Sequence, residues 1–208
     1  MYIPNLFRED RPEVLHEVIR EHSFATLVST GAAGLMATHL PLLIDPDRGP
    51  QGTLIGHFAR ANPHWRDLTD GREALAIFQG PHAYISPTWY VEPNNVPTWN
   101  YMAVHAYGAP RLIHDEAGLL RILRSLVATY EGESDGAWRM PWPDDYVGKL
   151  IRGIVGLEIE ITRLEGKFKL SQNRSRPDFA GAVAGLERQG DPTGLAVADL
   201  MKTRGGPA

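Results

Sequence analysis

The sequence predicts a mainly β fold with peripheral helices, its strands closing into a small antiparallel barrel. Three observations carry this reading. Strand-like runs outnumber helical ones along the 208 residues. Most of those runs are joined by short turns, which suit antiparallel neighbours. Closure of such a sheet removes exposed edges.

The elements follow in order. Residues 12–22 form a short helix, with Asp10 as its cap and Val14, Leu15, Val18 and Ile19 as one apolar stripe. Residues 24–30 (FATLVST) are apolar and β-branched, a strand. Gly31 and Gly34 make a turn, and 35–44 is the returning strand of a hairpin. A third strand is expected at 53–58, a short helix at 62–70 and a fourth strand at 74–79. Residues 100–114 make one long strand or two joined ones. The best helix follows, capped by Asp115, filled by Leu119, Ile122, Leu123 and Leu126, and ended by Gly132. A rigid aromatic loop spans 138–143, and a short helix 144–152. Residues 154–164 alternate Val155, Leu157, Ile159 and Ile161 against Glu158, Glu160 and Thr162, a final strand with one wet face. A basic segment, 167–176, leads into a Gly-rich, weakly helical tail. The chain reads as a single domain, 1–208, with a helical appendage at about 177–208.

Composition bounds the function. A formal charge of −4 argues against coating nucleic acid with the whole surface. The lack of cysteine removes disulfides, thiolate metal sites and a cysteine nucleophile, and fits a reducing compartment. The N-terminus shows no secretory pattern and no run has the length of a membrane span, so a cytoplasmic protein is expected. No Walker loop, dinucleotide fingerprint, zinc-protease helix or nucleophile elbow occurs. No histidine pair has ligand spacing beside a carboxylate, and no metal site or catalytic residue is assigned.

Two segments carry chemistry. Residues 80–108 combine Trp, Tyr, His and Pro, a stiff aromatic loop that can wall a flat ring or simply cover a barrel end. Residues 56–65 (GHFARANPHW) end a strand and begin a capped helix. Free amides there, with Arg60 and His64, offer a phosphate seat; the alternative is a plain cap beside a solvated arginine. His39 fits a satisfied core histidine. The basic segment suits a second anion, a flavin edge, nucleic acid or a solvated loop.

Six segments together resemble the PaiB family of FMN-binding transcriptional regulators, within the flavin split-barrel superfamily. They are FATLVS (24–29), ATHLPLL (37–43), GHFARANPHW (56–65), IFQGPHAYISPTWY (77–90), VPTWNYMAVHAYG (96–108) and LEGKFKLSQNR (164–174). The likeness runs from residue 1 to about 186. It implies a six-stranded antiparallel FMN-binding split barrel, and a homodimer holding FMN at each of two interface sites. By motif, Ala37, Thr38 and His39 would run along the isoalloxazine. His57, Ala59, Arg60, Asn62 and His64 would surround the ribityl phosphate, Asn62 and His64 standing where related flavin barrels carry Ser and Lys. Gln79, Trp99 and Asn100 would close the site across the interface. Lys167, Lys169, Gln172 and Arg174 are a family hallmark. The family implies negative transcriptional regulation or redox sensing, with DNA as a further partner, although no helix-turn-helix pattern is visible. The alternatives are an NAD(P)H-dependent flavin reductase or oxidase, a haem-handling barrel using His39, His57, His82 or His105, and a partner-binding module with an empty pocket.

Overall fold

Ten strands and five α-helices follow one another along the described chain, and most of their ends are set by residues visible in the sequence. The structure, a computed structural model, describes residues 1–31, 34–132, 137–138 and 144–207. The N-terminal elements are β1 (Arg8–Glu9), α1 (Pro12–Glu21), β2 (Phe24–Gly31), β3 (Gly34–Pro41), β4 (Leu43–Asp45) and β5 (Thr53–Ala59). A 3-10 helix, Pro63–Leu68, leads to β6 (Ala74–Ile85), and another, Pro87–Trp89, precedes β7 (Thr98–Gly108). Then come β8 (Pro110–Ile113), α2 (Glu116–Glu131), α3 (Asp144–Ile151), β9 (Ile154–Glu160), β10 (Arg163–Lys169), α4 (Arg176–Gln189) and α5 (Pro192–Arg204).

The strands form a six-stranded sheet, β1-β10-β7-β6-β2-β3, and a four-stranded sheet, β4-β5-β9-β8. Strand β2 runs antiparallel to β3, with Thr26 opposite His39, and to β6, with Thr26 opposite Ile77. Strand β9 is antiparallel to both β5 and β8.

Two compact units divide the chain. The first comprises Met1–Leu15, Gln79–His105 and Glu165–Ala208. Its interior holds Ile85, Met102, Val104, Phe168, Leu170, Leu186 and Met201. The second comprises His16–Phe78 and Ala106–Leu164. Its interior holds Leu27, Leu54, Phe58, Val155, Leu157 and Ile159, and Ile122 and Leu126 of α2 pack there with Ile113.

Helix α2 matches the sequence reading. Asp115 accepts from the Gly118 amide at 2.8 Å, and Gly132, at φ 72°, ends it. Several expectations need correction. The returning strand 35–44 breaks at Leu42 into β3 and β4, which belong to different sheets. The strand expected at 74–79 runs on to Ile85; the buried positions alternate through Gly80, shift by one at Pro81–His82 and resume at Ala83 and Ile85. The strand expected at 154–164 is two strands, β9 and β10, and Glu158 on its supposed wet face is buried. Three arginines make that burial tolerable, as described below. Part of the basic segment is strand β10, with Lys167 buried. The tail is two helices. Ser175 and Asp191 cap them, each followed within two residues by proline, and Gly190 closes α4 in the left-handed region at φ 74°. Beyond Trp138, the aromatic loop expected at 138–143 lies outside the described residues, as do 32–33 of the first hairpin turn. No helix among the described residues is long and apolar enough to cross a membrane.

Candidate functional site

The predicted site residues fall into two groups, one in each unit. In the second unit, pleating of β3 sends Thr38 inward and leaves Ala37 and His39 exposed. Thr38 is the centre of a polar network. Its Oγ1 accepts from Asn62 Nδ2 at 3.1 Å and lies 2.8 Å from His64 Nδ1. The other ring nitrogen, His64 Nε2, lies 2.8 Å from Ser29 Oγ. His64 is fully buried, and the edge of its ring meets Phe58 at 5.5 Å. Burial pushes its pKa below the ordinary histidine value, against the opposing pull of Asp67. A neutral imidazole has one donor and one acceptor, so either tautomer satisfies both hydroxyls.

Asn62 also caps the Pro63–Leu68 helix, its Oδ1 accepting from the His64 amide at 3.0 Å. That element is a six-residue 3-10 helix, and its first available amide is already paired. Arg60 acts as a clasp. Its Nε donates to the Arg152 carbonyl and its Nη2 to the Ile154 carbonyl, both at 2.7 Å. Its amide donates to Gly153 O, and its own carbonyl accepts from Trp65 Nε1. The guanidinium thus fastens the α3–β9 connection and lines a cleft of about 210 Å³ with His114, Glu116 and Arg152.

His57, on β5, is different. Its Nδ1 is buried with no hydrogen-bond partner among the described residues, and burial lowers its pKa. Ala59 beside it is exposed. On the open face of the β2–β3 hairpin, Phe24 is 70% and Leu35 81% exposed. Phe24 stacks on His39 at 6.3 Å, and His39 Nδ1 lies 2.9 Å from Thr26 Oγ1.

In the first unit, Gln79 and His82 contact each other at 3.3 Å, and the exposed Trp99 ring stands about 6 Å from those of His82 and Tyr84. Asn100 points the other way and is fully buried, donating to Ser171 Oγ at 2.9 Å and lying 3.3 Å from Met201 Sδ. Lys167 sits between the Tyr2 and Tyr101 rings and donates to Tyr2 O at 3.1 Å. Lys169 donates to Trp99 O at 2.6 Å and to Thr98 Oγ1. Burial, then the charges of Arg174 and Lys167, lower its pKa. Gln172 braces the turn after β10, accepting from the Leu170 amide and donating to Phe168 O. Arg174 covers Tyr90 at 4.6 Å and donates to Asn95 Oδ1.

Ser29 and Asp178 were missed from the sequence. Ser29 is inward by the same alternation as Ala25 and Leu27, a signal available in FATLVST. Asp178 sits three residues after the cap Ser175, and its carboxylate accepts from the amides of Val91 and Glu92 and from Asn95 Nδ2. It ties the proline-rich loop to α4.

A pH prediction arises here. His22, His57 and His64 all have pKa values lowered by burial. The unfolded chain therefore binds more protons below about pH 6.5, so stability present above that value is lost as pH falls through it. The melting temperature is expected to fall between pH 7 and 5, above the range where the depressed carboxylates Glu9, Asp70, Glu158 and Asp178 titrate. A flat profile over that interval contradicts the neutral, buried imidazoles.

The arrangement fits a flavin. β3 ends the six-stranded sheet, so among the described residues the outer backbone edge along Ala37 to His39 has no strand partner. His57 supplies an unsatisfied buried nitrogen in the same unit, and flat side chains line the open faces. Comparison with known proteins agrees. The family described as "Putative FMN-binding domain" matches residues 1–163. The protease synthase and sporulation protein PAI 2 of Bacillus subtilis is 36% identical over 206 residues, 98% of each chain. Among solved structures, a flavocytochrome from Azotobacter vinelandii superposes with a TM-score of 0.62 at 17% identity, over 84% of this chain and 75% of that one. The FAD and haem binding protein of Mycobacterium smegmatis gives 0.59 at 16% identity, over 78% and 73%. These likenesses show the antiparallel split-barrel fold. The chain belongs to the PaiB family of FMN-binding split-barrel proteins, and FMN is its cofactor.

Proposed function

We propose that two copies of this chain hold FMN at their shared face and that the flavin's state governs a regulatory output, as a redox-sensing or negative transcriptional regulator. The carrying observation is the open face of the β2–β3 hairpin. Phe24 and Leu35 stand there largely in solvent, beside Ala37 and His39 on an edge strand. In this reading the exposed apolar side chains of that face are covered by a partner. A second copy would bury the two side chains and supply the missing wall of a ring site. In this reading Ala37 to His39 present backbone groups to the ring, the Thr38–His64–Ser29 network holds that strand in place, and His57 offers its free nitrogen. FMN, when bound, supplies reversible electron chemistry; the residues bind and orient it. The regulatory assignment is what the resemblance to the PaiB family implies; the relative PAI 2 is named for protease synthesis and sporulation.

Size-exclusion chromatography with light scattering and a flavin titration test this together. The expected result is a yellow dimer with one FMN per chain, and a Leu35→Lys variant that runs as a monomer and binds FMN at least tenfold more weakly. A monomer that binds FMN as tightly as the dimer removes the shared-site reading.

A haem reading has one observation in its favour, the unpartnered Nδ1 of His57. The absorbance spectrum of the purified protein separates a Soret band from a two-peaked flavin spectrum, and the His57→Ala variant would lose the former.

A further inference from the structure

The face of the four-stranded sheet over which α2 packs carries a charge cluster that the flavin reading does not use. Glu158, on the central strand β9, stands directly opposite Arg111 on β8 and Ile55 on β5. Its side chain is 3% exposed. Arg48, from the β4–β5 connection, forks onto it, Nη2 to Oε2 at 2.7 Å and Nη1 to Oε1 at 3.3 Å. Arg111 Nη2 donates to Oε2, and Arg121 Nη2, from α2, reaches Oε1 at 3.4 Å. Burial alone would push this carboxyl up, but the Arg48 hydrogen bond and the charges of Arg111 and Arg48 hold it below the ordinary range. It is ionised, and four chain segments converge on it.

Stability does not account for this arrangement. A buried carboxylate with its partners is commonly no more stable than apolar side chains of similar volume. What the carboxylate does is aim. It fixes three guanidinium groups whose side chains are 42%, 64% and 61% exposed, for Arg48, Arg111 and Arg121. Each guanidinium has five N–H groups, and Glu158 takes one or two from each. The rest are held toward solvent with their side-chain entropy already spent. Clefts of about 360 and 320 Å³ open on the two sides of Arg48, one lined by Arg111 and the other by Arg121. Asp45, 3.9 Å from Arg48 Nε, lines the Arg121 cleft and Glu160 lines the Arg111 cleft. They offset the remaining positive charge, so binding here would come from aimed N–H groups at short range rather than from a long-range field.

The geometry points to an oxyanion site at Arg48, Arg111 and Arg121, organised from beneath by Glu158, that takes a phosphate group. Planar forks match the tetrahedral oxygens of phosphate, which a lysine cluster would not do as selectively. The phosphate could be that of a small molecule or of a nucleic-acid backbone, and the experiment separates the two.

The protein is saturated with FMN, so that the flavin's own phosphate seat is filled, and the arginine Nε–Hε resonances are followed by NMR. Inorganic phosphate is titrated in one arm and a short DNA duplex in the other, each against chloride at equal ionic strength. Arg111→Gln and Arg121→Gln are the variants, because both side chains are exposed and their loss leaves the carboxylate paired with Arg48. Selective shifts in phosphate, weakened about tenfold or more in each variant, support the site with a small phosphate as ligand. Shifts confined to the duplex, with the same loss in the variants, support it with a backbone phosphate. No selective shift in either arm, or equal binding by wild type and variants, overturns it. FMN affinity is expected to be unchanged in both variants, so failure here is distinguishable from failure of the flavin reading.

Discussion

A His64→Leu variant is expected to lose about 2–5 kcal/mol of stability, because the buried Ser29 hydroxyl loses its partner at about 1–3 kcal/mol and the half-buried Thr38 hydroxyl loses one of two at about 1–2 kcal/mol. For a chain of this size that corresponds to a fall of about 10 °C in melting temperature. The side chain is fully buried, so no water replaces the ring. Leucine fills much of the volume and cannot hydrogen-bond. Ser29 Oγ is left alone, while Thr38 keeps the bond from Asn62. The asymmetry gives a sharper check. Adding Ser29→Ala to the variant removes the stranded hydroxyl and is expected to recover part of the loss, whereas the same change in wild type destabilises. The pH dependence between 7 and 5 should also flatten in His64→Leu, since one depressed histidine is gone. FMN affinity is expected to fall with the network, because Thr38 lies between Ala37 and His39. Thermal unfolding followed by circular dichroism, with FMN titrations on the folded variants, reads all three effects. A His64→Leu protein that melts with wild type would mean the network does not hold β3.

His64 also shows what the sequence can and cannot convey. GHFARANPHW marked the segment as special, and the Asn62 cap with Pro63 after it was legible by residue type. The direction of the His64 side chain was not legible, because a short 3-10 turn has no apolar periodicity to report which way it faces. Strand alternation is a stronger signal. In FATLVST it puts Ala25, Leu27 and Ser29 on one face of β2, although Ser29 was not picked out from it. The same rule misjudged Glu158. Alternation correctly separated it from Leu157 and Ile159, but the second face of β9 is covered rather than wet, since α2 packs over Gly156 of that strand. Alternation names faces; it does not say what lies over them. The α2 boundaries were plain because a cap, an apolar stripe and a C-terminal glycine all agreed. The tail, expected as a Gly-rich, weakly helical appendage, is two capped helices, and α4 carries Gly181 and Gly185 in its interior.

Those glycines carry the last large effect. In a helix interior Gly→Ala usually stabilises by about 0.5–1 kcal/mol. Gly181 and Gly185 lie four apart on α4, so they share a face, and Trp89 occupies it. A Cβ at 181 would stand 2.0 Å from the Trp89 carbonyl oxygen, and one at 185 would stand 2.2 Å from the indole ring. Neither contact is tolerable, so the Pro87–Trp89 turn or the helix must move. Each alanine is expected to cost about 1–3 kcal/mol by overpacking. The larger cost falls at 181, where the obstacle is backbone and cannot rotate away. Gly148 in α3 is the control. Among the described residues a Cβ there meets nothing nearer than Glu116 Oε1 at 4.0 Å, so Gly148→Ala should be neutral or stabilising by about 0.5–1 kcal/mol. The opposite signs separate close approach from helix propensity. The consequence for binding follows from the connections of the loop. Asp178 and Arg174 hold Val91, Glu92 and Asn95, a few residues before Trp99 and Asn100. Displacing Trp89 therefore loosens the segment that presents Trp99, and FMN affinity should fall in Gly181→Ala by more than in Gly148→Ala, with a change in tryptophan emission. If Gly181→Ala gains stability like Gly148→Ala, Trp89 is not seated on α4, and the grip of the C-terminal helices on the aromatic loop fails with it.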